Sequence, residues 1–207
     1  MATTEENIIA WAQELQALSA AGLHYSKDRF DRERYERIRD IAAEMTASAT
    51  GMDGEEVKDI LSRQDGYQTP KLCTRAVVFQ GDKVLLVREL DNKWAPPGGW
   101  CEYNRTPGEN VVKEAWEEAG LRVEPYRLVL MHDQHRHNRP KNFYNVEKCF
   151  FLCRVLGGHF QKNLETVESR YFPLDALPPL NTEKVTEEQL RICYQAFLSE
   201  TWETQYD

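Results

Sequence analysis

The sequence contains no apolar run approaching the roughly 20 residues that a membrane-spanning helix needs. Its first stretch, Met1 to Leu18, lacks the basic start and apolar block of an export signal and mixes acids with scattered polar residues instead. An excess of cations is missing too. Against 34 Asp and Glu stand 26 Lys and Arg, for a net charge of −8. That balance argues against a surface built to neutralise nucleic-acid phosphates or to bind an anionic membrane, and a nucleotide-sized anion would need a local cation. The five cysteines, Cys73, Cys101, Cys149, Cys153 and Cys193, are odd in number and form no C-x-x-C pair, so neither a disulfide framework nor a zinc site is indicated. Cys149 and Cys153 read as small buried hydrophobes on one side of a strand. Internal repeats and low-complexity tracts are absent. The expectation is a cytoplasmic protein with no nucleic-acid or membrane partner.

What is present is enough for a core: 207 residues, 41% hydrophobic. Residues 1–66 read as a small helical domain. In "TTEENIIAWAQELQALSAAG", Ile8, Trp11, Ala12, Leu15 and Leu18 recur at helical spacing, Thr3 with Glu6 forms a possible capping box, and Gly22 follows as the expected stop. "FDRERYERIRDIAAEM" repeats the pattern with Tyr35, Ile38, Ile41, Ala42 and Met45, and "DGEEVKDILS" opens a third helix at Asp53. Three short amphipathic helices have little core of their own, so their apolar stripes are expected on a partner surface, with a two-fold homodimer through these helices as the expected assembly.

Residues 67–207 form the second expected domain. "TRAVVFQGDKVLLVREL" reads as a hairpin, "RLVLMHD", "FYNVEKCFFLCRVLGG" and "SRYFPL" as further strands, and "TEEQLRICYQAFLSET" as a terminal helix. The fold class expected is α+β, a mixed sheet with an embedded helix.

That embedded helix carries the chemistry. In "GGWCEYNRTPGENVVKEAWEEAGL", Glu114 shares a helix face with Glu117 and Glu118. Each like-charge pair costs about 0.2–0.5 kcal/mol with nothing between the carboxylates. A solvated acidic face and a carboxylate cluster for a hard divalent cation are the two readings of such a run. The preceding "KWAPPGGW" is stiffened by Pro96 and Pro97, while Gly98 and Gly99 let backbone approach a bound group.

At this point the chain resembles the Nudix hydrolase family. That family's box is a Gly, five residues, a Glu, seven residues, then Arg-Glu-aliphatic-any-Glu-Glu-any-Gly-aliphatic. Set on Gly99, the match puts Glu114, Ala115, Glu117, Glu118, Gly120 and Leu121 in register. The resemblance implies a Nudix-type mixed sheet and Mg2+ or Mn2+ held by Glu114, Glu117, Glu118 and the Gly98 carbonyl. The helical start, with "LQALSAAGLHYSKDRFDRERYERIRDIAAEM", is similar to the extension of a bacterial subgroup acting on nucleoside diphosphates linked to another moiety. It implies phosphoanhydride hydrolysis of a small molecule such as ADP-ribose first and CDP-choline second. One of the three box glutamates, or Glu165 or Glu168 from a later loop, is the candidate catalytic base, against a bland reading of the last two as solvated charges.

The chain departs from the pattern at two positions: Arg105 stands where the family has its first box glutamate, and Lys113 where it has arginine. Two cations there are expected to push apart unless Glu102 or Glu109 partners Lys113. This departure motivates a rival reading, a nucleotide-binding module with weak turnover. Substrate-binding candidates are Arg88, Trp100, Arg105, His132, Arg139 and Tyr144. The "MHDQHRHNRPK" cluster, including Lys141, offers donors for phosphate or a base edge, while Trp94, Trp100, Phe143 and Tyr144 offer ring faces for stacking. A polar loop without ligand and plain core packing are the competing readings.

Overall fold

The computed structural model describes residues 4–140 and 144–207, with side chains from Asn7 onward. The Thr3–Glu6 cap, Lys141 and Phe143 lie outside the described residues. The chain divides into two compact units, one of residues 1–70 with 141–145, the other of residues 71–140 with 146–207.

The first unit is helical: α1 (Thr4–Tyr25), α2 (Arg29–Thr50) and α3 (Gly54–Ser62). Two of its helices are 22 residues long, not short. Asp28 caps α2 by accepting from the Phe30 and Asp31 amides, and Asp53 caps α3 in the same way through Glu55 and Glu56. Gly22 does not end α1. It lies within the helix where the Tyr35 ring of α2 approaches so closely that a Cβ would overlap it. The stripe that α1 buries also differs from expectation, running through Ile9, Ala12, Gln16, Ser19 and Ala20. Small residues bring the helix axes together, and Gln16 Nε2 donates to the Leu61 carbonyl at 3.1 Å. The larger apolar residues are left outward, with Trp11 56% and Leu18 59% exposed.

The second unit holds β1 (Lys71–Val77), β2 (Phe79–Gln80), β3 (Lys83–Glu89), β4 (Trp94–Ala95), α4 (Pro107–Ala119), β5 (Leu121–Asp133), α5 (Gln134–His137), β6 (Val146–Gly158), β7 (Thr166–Pro173), α6 (Glu187–Leu198) and β8 (Gln205–Tyr206). One sheet runs β1-β6-β5-β8, and the other is built on β3, flanked by β7 and by the short β2 and β4. The expected hairpin survives only as the two-residue β2–β3 ladder. β1 instead pairs parallel with β6, so the chain changes sheets at Val78. "AVV" and "VLLV" do not alternate because both faces of these strands are buried. Val77, Val84 and Leu86 pack with Phe150, Leu152 and the α6 residues Leu190, Cys193 and Ala196, whereas Ala76, Val78, Leu85 and Val87 pack with Val111, Ala115 and Ala119 of α4. The α+β class is therefore as expected, with mixed sheets and a helix on each side. Among the described residues no helix is long and apolar enough to cross a membrane.

Candidate active site

Local sequence fixes both ends of α4. Thr106 and Glu109 form a reciprocal capping box, Pro107 occupies the first turn, and Gly120 takes the left-handed conformation at φ 66°. Asn163 Nδ2 donates to the Glu117 carbonyl at 2.8 Å and Thr166 Oγ1 to the Glu118 carbonyl at 2.7 Å, satisfying acceptors that the helix leaves open. Asn110, fully buried, donates to Thr74 Oγ1 at 2.9 Å and so ties α4 to β1.

The Pro-Pro-Gly-Gly segment runs along the free edge of β1. Ala76 N–H donates to Pro97 O at 2.7 Å, Thr74 N–H to Gly99 O at 2.9 Å, and Cys101 N–H to Leu72 O at 2.8 Å. This close passage explains both glycines. A Cβ on Gly98 would run into the Thr74 carbonyl, and one on Gly99 would sit 2.9 Å from Glu114 Oε2. Gly98 N–H donates to Glu118 Oε2 at 2.9 Å. Loop and helix thus meet at two carboxylates, Glu114 at 7% and Glu118 at 6% exposure.

Burial holds the Glu118 carboxyl up to about 7, against the pull of Arg75 and the Gly98 N–H. Burial also raises Glu114, with Lys113 opposing. The cations already present therefore under-compensate both groups, and such a deficit of positive charge among hard oxygen donors fits a divalent ion. Glu117 is exposed, and Lys113 Nζ lies 2.6 Å from it and 3.4 Å from Glu114. Among the described residues no three His, Cys, Asp or Glu side chains converge as an ion-holding group. A site here consists, as it stands, of Glu114, Glu118 and backbone oxygen, with Glu117 on the rim.

The paired cations do not push apart. Glu102 lies between them, 2.7 Å from Arg105 Nε and 3.3 Å from Lys113 Nζ. Lys113 also reaches Glu114 at 3.4 Å. Glu102, not Glu109, is the substitute acid, because the Glu109 carboxylate turns back onto the Thr106 amide and hydroxyl. Arg105 itself is exposed.

The remaining candidates scatter. Glu165 is exposed on the loop after β6. Glu168 is not in that loop but on β7, opposite Arg88 on β3, whose Nε lies 3.1 Å away. Two separate candidates are thus each other's partner. Trp94 is buried against Phe172, edge to face at 4.7 Å, and serves the core instead of offering a stacking face. Trp100 is half exposed with Lys71 over its ring. His132 is buried and stacked on His137 at 3.7 Å. Arg139 Nη1 is spent on the His135 and Asn138 carbonyls. Tyr144 groups with the helical unit.

Two buried cations escaped sequence reasoning. Arg75 on β1 donates to the Gly98 carbonyl and is 4% exposed. Lys148 on β6, 2% exposed, donates to the Glu183 and Lys184 carbonyls, and burial together with Arg75 brings its ammonium down to about 7. The register sets Cys73, Lys148 and His132 in one row across the sheet. A lone cation inside each apolar run, "TRAVV" and "VEKCFF", was the available signal.

The chain is similar to known proteins over both units. The profile described as the NUDIX domain matches residues 69–192, and one described as a UDP-X-like, N-terminal oligomerisation domain matches residues 6–61. YjhB of Bacillus subtilis (strain 168), provisionally named an ADP-ribose pyrophosphatase, is 42% identical over 88% of both chains. A crystal structure of an ADP-ribose pyrophosphatase from Streptococcus suis 89-1591 is 54% identical, with a TM-score of 0.64, over 67% of this chain and 100% of its own. A crystal structure of a UDP-X diphosphatase is 33% identical, with a TM-score of 0.63, over 98% of this chain and 100% of its own.

Proposed function

The chain belongs to the Nudix hydrolase family, and from that premise we propose that it is a divalent-metal-dependent pyrophosphatase cleaving ADP-ribose into AMP and ribose 5-phosphate. The observation that carries this reading is the pair of buried carboxylates, Glu114 and Glu118, set against the Gly98–Gly99 backbone. The names of the Bacillus and Streptococcus relatives support ADP-ribose as first substrate. CDP-choline comes second, and a UDP-linked compound is suggested by the full-length structural relative.

In this reading Glu114, Glu118 and the Gly98 carbonyl, joined by Glu117 from the rim, hold Mg2+ or Mn2+. When bound, such an ion neutralises pyrophosphate charge and lowers the pKa of a bound water. The chain's own contribution is to fix those oxygens, since Asn110 anchors α4 to β1 and Glu102 restrains Arg105 and Lys113; Glu118 is the base this reading favours. Glu165 and Glu168 are weaker candidates for the base, Glu168 because Arg88 and Arg170 already hold it. Trp100 and His132 remain candidates for the nucleoside. A nucleotide-binding module with weak turnover is the weaker reading, because Glu102 lies between the two cations that motivate it.

The assembly proposed is a two-fold homodimer through the helical unit, supported by the outward Trp11 and Leu18 and by the oligomerisation profile. A cytoplasmic location is proposed from the composition and from cysteines that are all unpaired. Hydrolysis of ADP-ribose, CDP-choline and UDP-glucose, each with and without Mg2+, tests the reading. AMP released from ADP-ribose only with metal is the expected result, and no hydrolysis of any of the three would overturn it.

A further inference from the structure

Arg75 is placed where a buried charge has to be accounted for. It lies mid-strand on β1, and its Nη1 donates to the Gly98 carbonyl and, at 3.4 Å, to the Pro96 carbonyl. Its Nε is buried without a hydrogen-bond partner among the described residues. A second buried side chain that can carry positive charge, Lys148, lies on the neighbouring strand close enough for Arg75 to hold its ammonium down. An unsatisfied donor on a buried cation beside another cation costs stability, so some role has to offset it. Bracing the loop is not enough of a reason, because three backbone hydrogen bonds already pin Pro97, Gly99 and Cys101 to β1.

The anions around Arg75 point elsewhere. Glu118 and Glu114 both act on its guanidinium. Gly98 stands between, with the Glu118 carboxylate on its N–H and the guanidinium on its carbonyl. The guanidinium therefore does at Gly98 what a metal ion would do there: it takes up the carbonyl oxygen and offsets Glu118. Two cations sharing that one oxygen repel at close range in a site with little water to screen them.

We infer that Arg75 is a resident cation that competes with the divalent ion for the Gly98 carbonyl and Glu118, so that metal loading requires the guanidinium to leave Gly98. The inference rests on the metal site proposed above, and its test reads metal binding directly instead of hydrolysis. Mn2+ is titrated into the full chain and free ion is followed by electron paramagnetic resonance, for the wild type, Arg75→Met and Arg75→Lys. The Met variant, which keeps length but loses charge, should bind Mn2+ at least about tenfold more tightly. The Lys variant, which keeps the charge, should stay close to the wild type.

A Met variant with equal or weaker affinity, while the wild type binds, would overturn the inference and leave the proposed metal site standing. No binding by any of the three proteins would remove both. A Lys variant as tight as the Met variant would refute the competition between charges. Should Arg75→Met not fold, the wild-type Arg75 Nε–H signal in a 15N spectrum decides. It should move as Mg2+ saturates the site, and a signal unaffected by saturating Mg2+ would overturn the inference.

Discussion

At Glu118 opposing influences meet on one carboxyl group. Burial favours its protonated form, whereas Arg75 and the Gly98 N–H favour the charged one, and burial wins. Glu118→Gln keeps size and burial but gives a neutral and poorer ligand that cannot accept a proton. Metal-dependent turnover should fall by about 10²- to 10⁴-fold with the circular dichroism spectrum unchanged. Turnover within a factor of three of the wild type would remove Glu118 from the site. Lys148 gives a pH prediction of definite sign. Its folded pKa of about 7 lies below the ordinary 10.5, so the unfolded chain binds more protons between those values and stability from this group rises with pH there. From pH 7 to 9 the wild type should gain about 2 kcal/mol relative to Lys148→Met, since each pH unit is worth at most 1.36 kcal/mol and the group is already part-deprotonated at pH 7. Denaturant unfolding of both proteins at the two pH values measures it, and a constant difference would mean the ammonium stays charged. Neither buried cation was legible in sequence as part of a site, because β1 and β6 lie some 70 residues apart and only their parallel pairing brings Arg75 and Lys148 together.

Among the elements, α4 was the most legible. Its cap, its proline, its terminal glycine and its three glutamates are all local signals, and Pro107–Ala119 follows from them. What local signals could not give is which glutamates turn inward. Glu114 and Glu118 are buried and Glu117 is not, because Gly98–Gly99 packs onto the first two, whereas Glu117 reaches solvent beside Lys113. α1 makes the opposite point. Gly22 reads as a stop, yet the helix continues to Tyr25, because the Tyr35 ring leaves no room there for a side chain. Gly22→Ala removes the helix penalty of glycine, about 1 kcal/mol, but overpacks the α1–α2 crossing by about 1–3 kcal/mol. The net effect should be destabilising. A double-mutant cycle with Tyr35→Ala should show the loss vanish when the ring is absent. A Gly22→Ala chain with a raised melting temperature would mean that Tyr35 simply swings aside.

At the scale of the whole molecule, the helical unit has a small core around Ala43, Val57 and Leu61 and leaves Trp11 and Leu18 of α1 outward. Light scattering at micromolar concentration should give a dimer for the full chain and a smaller species for one beginning at Lys71. Replacing Trp11 and Leu18 with glutamate together should dissociate the dimer while ADP-ribose hydrolysis by the second unit is retained at least in part. A monomeric mass for the unaltered chain would rule the dimer out. A dimer surviving the truncation would place the interface on the second unit.

The sequence by itself determined the helical start, the α+β class, the box helix, and the kind of oxygen donors that helix carries. Each of these depends on spacing within about one element, where periodicity and capping act. Only the tertiary structure decided that Glu102 stands in for the missing box acid, that Glu168 is bound to Arg88, and that Arg75 already holds the Gly98 carbonyl. Those outcomes depend on which strands pair and which loop passes along β1. The contacts of Glu168 with Arg88 and of Arg75 with Gly98 join residues far apart in the chain, the choice of Glu102 over Glu109 follows from the path of the loop before α4, and no local period in the sequence encodes either.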